Sequence, residues 1–195
     1  MFKKYNYRLT KGNLRCIPKN FMHDLKMCKQ RIQKGWCEDD AWNIDSWFLN
    51  IVPDMLQYLK ENRVGSPTFL DKSSDEEVDC HKIWDDILDE MIFDLREGVE
   101  KTCSKKNKYE DDYMTILDEF INKYGFFGED LQTEEEKENA EKTGCHVMHF
   151  MREIPEYAEI DKKYFDEELY LEKYRNRMKN KGLELFCKYF NDLWD

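Results

Sequence analysis

Residues 35–59 read GWCEDDAWNIDSWFLNIVPDMLQYL, and the way this stretch folds decides how the rest of the chain is built. It holds three of the five tryptophans, Trp36, Trp42 and Trp47. At helical spacing Trp42, Leu49, Val52, Leu56 and Leu59 align as one apolar stripe, and Asp45 falls inside it. An ionised carboxylate in such a stripe needs a compensating partner, because burying it unpaired is costly. Asp45 is therefore expected to be salt-bridged, hydrogen-bonded or turned into a cavity that takes a ligand. Pro53 removes one internal hydrogen bond, which predicts a kink near Val52 or a restart of the helix at Pro53. Glu38, Asp39 and Asp40 crowd the first turn, where negative charge suits the helix dipole and Asp39 is placed to cap free amides.

Working outward from this stretch, Phe21, Leu25, Cys28 and Ile32 predict a preceding helix that stops at Gly35. Residues 1–20, with Phe2, Tyr5 and Tyr7 among basic residues, read as a basic N-terminal arm, ordered or entering as a short strand-like segment. Downstream, Gly65, Ser66 and Pro67 mark an exit, and Ser74 with Glu77 has the form of a capping box. The segment HKIWDDILDEMIFDLREGVE predicts a helix with Ile83, Trp84, Ile87, Leu88, Met91, Ile92 and Leu95 on one face. Asp85, Asp86, Asp89, Glu90 and Asp94 fall on its solvated side. This helix is expected to pack on the one before it.

The polar run EKTCSKKNKYED after Gly98 reads as a loop or a frayed helix end and as the most mobile region, and residues 109–124 as an amphipathic helix closed by Gly125 and Gly128. EDLQTEEEKENAEK is a solvent-facing helix or loop, with Thr133 and Glu136 as a second capping box. A helical stretch from His146 to Arg152 is expected to end before Pro155. A last helix from about Asp161 to Trp194 carries Leu183, Phe186, Cys187, Phe190 and Trp194 as a docking stripe. With no repeat and no long alternating run, the expected fold is mostly α. It is a single-domain multi-helix bundle over residues 1–195 with little or no sheet.

Composition narrows the function classes. The chain has 195 residues, 41% apolar and 37% charged, with a net charge of -11, and no run suits a bilayer. The opening MFKKYNYRLTKGNLR lacks the apolar centre of a secretory leader, so the expected compartment is the cytoplasm. Seven scattered cysteines without a CxxC pair read as reduced thiols, several of them core filler. Charge is distributed unevenly. Residues 1–34 carry ten Lys or Arg against one acid, while the other 161 carry 21 bases and 41 acids. A basic arm beside so acidic a body is expected to dock on that body, and a long nucleic acid would be repelled.

The chemistry-bearing candidates are few. His146, His149 and Glu153 share one helical face and are the candidate metal ligands, but no HExxH pattern is present. Glu134, Glu135 and Glu138 spell an EExxE element, as in magnesium-dependent all-α nucleotide pyrophosphohydrolases, yet no ExxD element follows. Phosphate loops, dinucleotide fingerprints and nucleophile elbows are missing, so no cofactor is expected. The remaining constellation is Arg31, Trp36, Asp40, Trp42, Asp45 and Trp84. Such a set can read a planar phosphate-bearing molecule, with indoles stacking, Arg31 on phosphate and a carboxylate on a ring amine or ribose hydroxyl. The same residues can equally form a buried polar network that fixes helix register.

Gly35-Trp36, Asp40, Trp42 and Asp45, then Gly65-x-Pro67, then Trp84 with Ile87, Leu88 and Met91, carry a resemblance over most of the chain. It closes on Gly182-Leu183-Glu184-Leu185-Phe186 with Tyr189, Phe190, Leu193 and Trp194. Together they resemble a group of small proteins encoded by tailed bacteriophages, a group that carries no catalytic assignment. The resemblance implies a phage origin and action in the cytoplasm of an infected bacterium. The leading expectation is a non-enzymatic phage accessory protein that binds a nucleotide-like small molecule and sequesters a host immune signal. Its rivals are a phage structural or protein-interaction protein, with a host or phage protein as partner, and the metal-dependent pyrophosphohydrolase. Whether the chain forms a homo-oligomer is left open by the sequence.

Overall fold

Gly35 closes the first helix with a left-handed backbone (φ 80°), and its amide returns to the Arg31 carbonyl at 2.9 Å. A residue without Cβ takes that conformation at little cost. The computed structural model describes residues 17–67 and 79–194. Its helices are α1 (Ile17–Lys34), α2 (Glu38–Trp42), α3 (Ile44–Asn62), α4 (Cys80–Glu97), α5 (Glu110–Tyr124), α6 (Glu134–Thr143) and α7 (Pro155–Lys188). Short 3-10 turns lie at Glu129–Leu131, Met151–Glu153 and Phe190–Asp192. Among the described residues there is no strand, so the mostly α fold is as expected. The bulk of the expected arm and the Ser74–Glu77 capping box lie outside the described residues. Helix α1 starts at Ile17, before the expected Phe21, with Pro18 in the first turn where a missing amide breaks no bond.

The decisive stretch folds as two helices. The chain breaks at Asn43 (φ -137°, ψ 67°), then runs without interruption through Pro53 to Asn62. The helix does not restart at Pro53, and the break at Asn43, ten residues before that proline, resets the helical register. Trp42 therefore does not continue the stripe of Leu49, Val52, Leu56 and Leu59. Val52, Pro53 and Leu56 are buried, whereas Trp42 is 85% exposed.

Contacts divide the chain into two units. One comprises the chain up to Ile92 with the segment from Asn191 on, and the other is Phe93–Phe190. In the first unit, Met27, Cys37, Val52, Leu56, Trp84, Leu88, Met91 and Ile92 are buried. Ion pairs from Lys60 to Asp89 and from Arg63 to Asp85, each 2.6 Å, tie α3 to α4. Two of the acids expected on a solvated face thus have partners. In α1 the expected apolar face is not the one turned inward. Phe21, Leu25 and Ile32 are exposed, and Met27 is buried in their place.

In the second unit, Phe120, Met151 and Tyr157 form a core with Ile116, Leu117, Ile154 and Ile160 packed around it. Tyr113 stacks on Tyr164 at 4.0 Å. Helices α4 and α7 cross closely at Gly182, where an added Cβ would lie 2.8 Å from a Leu95 side-chain carbon and 2.9 Å from its backbone nitrogen. Asp94, expected in solvent, is buried, with Lys181 Nζ at 3.7 Å.

The run after Gly98 is a loop, as expected, and side chains anchor it. Glu97 accepts hydrogen bonds from the Ser104 amide (2.7 Å), the Ser104 hydroxyl (2.9 Å) and the Tyr174 hydroxyl (2.9 Å). Cys103 is buried with its thiol 3.6 Å from Glu97, and Asn107 is buried with its amide on the Tyr164 carbonyl at 3.0 Å. Burial alone would raise the Glu97 carboxyl; these bonds outweigh it and hold the group below the usual carboxylate range. Burial, reinforced by Glu97, pushes the Tyr174 hydroxyl up to about 12. Helix α7 ends at Lys188, short of the expected Trp194, and Cys187, Phe190 and Trp194 are exposed where a docked stripe was expected. Cys28, Cys37, Cys80, Cys103, Cys145 and Cys187 are free thiols.

Candidate functional site

Helix α2 is only five residues long, so side chains from α1 hold it in place more than its own hydrogen bonds do. Arg31 reaches from the last turn of α1 to Asp40, with Nε–Oδ2 at 3.1 Å and Nη2–Oδ1 at 2.6 Å. Asp40 Oδ2 also accepts the Cys37 amide at 2.8 Å, so Asp40, and not Asp39 as expected, satisfies the backbone at the start of α2. Glu38 is bound in turn by Lys26 (2.7 Å) and Gln30 (2.8 Å), and its amide donates back to the Gln30 carbonyl oxygen of the side chain (2.9 Å). Asp40 is 9% exposed. Burial works to raise its carboxyl, but the bonds from Arg31 and Cys37 prevail and hold it below the usual range.

Of the six candidate ligand-binding residues, the structure therefore joins Arg31 and Asp40 directly. Their bonds are the ones a structural network needs, and Arg31 engages the Asp40 carboxylate with the fork that was expected to take a phosphate. Trp36 is exposed beside them, with Lys34 Nζ 5.1 Å from the ring centroid. Trp42 is exposed on α2. Trp84 is 1% exposed and belongs to the core.

Asp45 corrects the expectation of an inward, compensated carboxylate. It is exposed, in the first turn of α3, where the positive end of the helix dipole favours a carboxylate without any partner. Asp45 keeps its register with Leu49, Val52 and Leu56 on α3, but it stands in the first turn, beyond the part of the stripe that is buried.

The metal candidates separate in the same way. Residues 145–150 form no helix, so His146, His149 and Glu153 do not share a helical face. His149 lies between two carboxylates, with Nδ1 2.7 Å from Glu153 and Nε2 3.3 Å from Glu136. These acids sit at opposite ring nitrogens and cannot converge with the imidazole on one ion. Among the described residues no group of three or more His, Cys, Asp or Glu is placed to hold a metal. His146 is exposed and stands apart. The hydrogen bond to Glu153, opposed by partial burial and aided by Glu136, raises the His149 pKa above that of a free imidazole.

The EExxE acids lie on α6. Glu134 pairs with Lys137 at 2.8 Å and Glu138 with Lys142 at 3.5 Å, both on the surface. Thr133 and Glu136 form the expected capping box, with Glu136 accepting the Thr133 amide at 2.8 Å and Thr133 accepting the Glu136 amide at 3.2 Å.

One feature of the decisive stretch escaped the sequence reading. Beside its buried row, α3 carries a second apolar row, Ile44, Phe48, Ile51, Met55 and Tyr58. Its steps of four and three residues have the period of a helix–helix seam. Ile44, Met55 and Tyr58 are 66%, 62% and 68% exposed, and Phe48 and Ile51 are half-buried. The signal was in the quoted residues, masked by reading only the stripe through Leu49 and Leu56.

The chain matches no known protein family model, no curated protein and no solved structure. No helix among the described residues is long and apolar enough to cross a membrane.

Proposed function

We propose that this is a non-enzymatic protein-interaction protein whose docking face is the outer apolar row of α3. One observation carries the reading: a single helix uses Val52 and Leu56 for its own unit while leaving Ile44, Met55 and Tyr58 to solvent. A helix apolar on both sides is otherwise a buried helix, and a contiguous exposed apolar row marks a binding surface. The resemblance to tailed-phage proteins supports a setting inside an infected bacterium, with a host or phage protein as the partner. A photo-crosslinking amino acid at position 58, compared with one at exposed Glu119, tests it in the bacterium. A discrete protein adduct from 58 and none from 119 is expected; no adduct from 58 contradicts the reading.

The small-ligand reading keeps one observation of its own, the exposed indoles of Trp36 and Trp42 on either side of the Cys37–Asp40 turn. It proposes that they stack on a nucleotide-like signal. Melting the protein with cyclic and ADP-ribose-type nucleotides tests it. A ligand at about a hundred times its Kd adds about 2.7 kcal/mol, a readable shift, and no shift with any of them contradicts this reading.

A further inference from the structure

We infer that α1 lies on an anionic lipid surface, with its outer apolar face among the headgroups. The inference goes beyond the α3 reading and does not depend on it. Helix α1 is attached to its unit by its polar side. Arg31 binds Asp40, Lys26 and Gln30 bind Glu38, His23 Nε2 lies 3.6 Å from Asp39, and Met27 is buried on the same side. The opposite face is apolar. Phe21, Leu25 and Ile32 fall on one row at helical spacing, Met22 stands beside them, and all four are exposed. A helix that docks through polar bonds and turns its apolar row outward reverses the usual arrangement, and such a row marks a binding surface.

Charge names what that surface meets. Residues 1–34 carry ten Lys or Arg against one acid, and residues 1–16, directly ahead of α1, hold Lys3, Lys4, Arg8, Lys11 and Arg15 with no acid. Basic residues beside an amphipathic helix are attracted by anionic headgroups. A second copy of α1 would bring bases against bases.

Lys29 separates a bilayer surface from a protein seam. It stands one turn from both Leu25 and Ile32, inside the apolar face, and meets no carboxylate among the described residues. A protein seam would bury its ammonium, at a cost. At a bilayer surface its long stem lets the charge reach a lipid phosphate while the row beside it sits deeper. Trp36 is exposed just past the end of the helix with Lys34 Nζ 5.1 Å from its ring centroid, and an indole beside a cation suits the same headgroup depth.

The full chain is sedimented with phosphatidylcholine vesicles and with vesicles containing about one-third phosphatidylglycerol. Binding to the anionic vesicles is expected to be about ten-fold or more tighter and to weaken as salt is raised. Leu25→Ser plus Ile32→Ser keeps the charge and is expected to weaken that binding about ten-fold or more. Lys29→Gln plus Lys34→Gln keeps the apolar row and is expected to weaken it about five-fold, leaving the binding to phosphatidylcholine unchanged. All four side chains are exposed, and an unchanged melting temperature checks that the variants stay folded.

No binding to the anionic vesicles at low salt overturns the inference. So does binding that Leu25→Ser plus Ile32→Ser leaves unchanged, which is adsorption by the bases alone. A photo-crosslinking amino acid at position 25, activated in the bacterium, is expected to label lipid. An adduct with another protein, a second copy or the chain's own residues 1–16 in place of lipid overturns the inference.

Discussion

Arg31 and Asp40 meet through two parallel hydrogen bonds, 3.1 and 2.6 Å, and this pair is what fixes the short α2 against α1. Removing Arg31 leaves a carboxylate that is 9% exposed without its cation. Because Arg31 itself is partly exposed, the cost is below that of a fully buried pair. Arg31→Ala is expected to destabilise by about 2 kcal/mol, and Arg31→Lys to recover only part of it, since an ammonium cannot reproduce the fork. Urea denaturation of the three proteins measures both. The Asp40 carboxyl is held low in the folded state. Its contribution is thus present above the ordinary Asp value, about 3.9, and is lost as pH falls through the lowered one.

His149 gives a titration of the opposite sign. Glu153 and Glu136 raise its pKa in the folded protein, so the stability it contributes is complete below the ordinary imidazole value of about 6.5. That contribution is lost as pH rises through the raised value. Folding stability measured between about pH 6 and 9 should decline in the wild type from this source, and His149→Gln should flatten the decline. An imidazole shift titrating at or below the free value contradicts the bridge.

Gly182 permits the close crossing of α4 and α7. Gly182→Ala places a methyl 2.8 Å from Leu95 and 2.9 Å from backbone, which cannot move aside like the tip of a long side chain. A loss of about 2 kcal/mol is expected from overpacking. Gly144→Ala has open space around the added carbon, so any cost there comes from its positive φ alone. Thermal melts of the two variants compare crowding with backbone strain.

Glu97 should govern the segment after Gly98. Glu97→Ala removes the acceptor for the Ser104 amide, and hydrogen exchange at Ser104 should rise sharply while α5 keeps its protection. Unchanged exchange at Ser104 contradicts the anchoring.

Local signals carried much of this fold. Gly35 ends α1, Thr133 and Glu136 start α6, and Gly125 ends α5, because each works through residues one turn away. The break at Asn43 has no glycine or proline to announce it, so periodicity read across it puts Trp42 on the buried stripe, while Asp45 keeps its place in the row but lies at the exposed end of α3. Pro155 was read as a stop, yet a proline suits a first turn equally well and α7 begins there. The burial of Asp94 beside Lys181 depends on a neighbour far along the chain, which spacing along α4 does not reveal. Of the candidate site, the link between Arg31 and Asp40 was legible as a group, and its structural use is a matter of geometry.

Helix α3 presents two different apolar rows, and carbene footprinting of the isolated chain reads both at once. Heavy labelling of Ile44, Met55 and Tyr58 with protection of Val52 and Leu56 is the predicted result. Protection of Met55 and Tyr58 equal to that of Leu56 would contradict it, because the outer row would then already be covered.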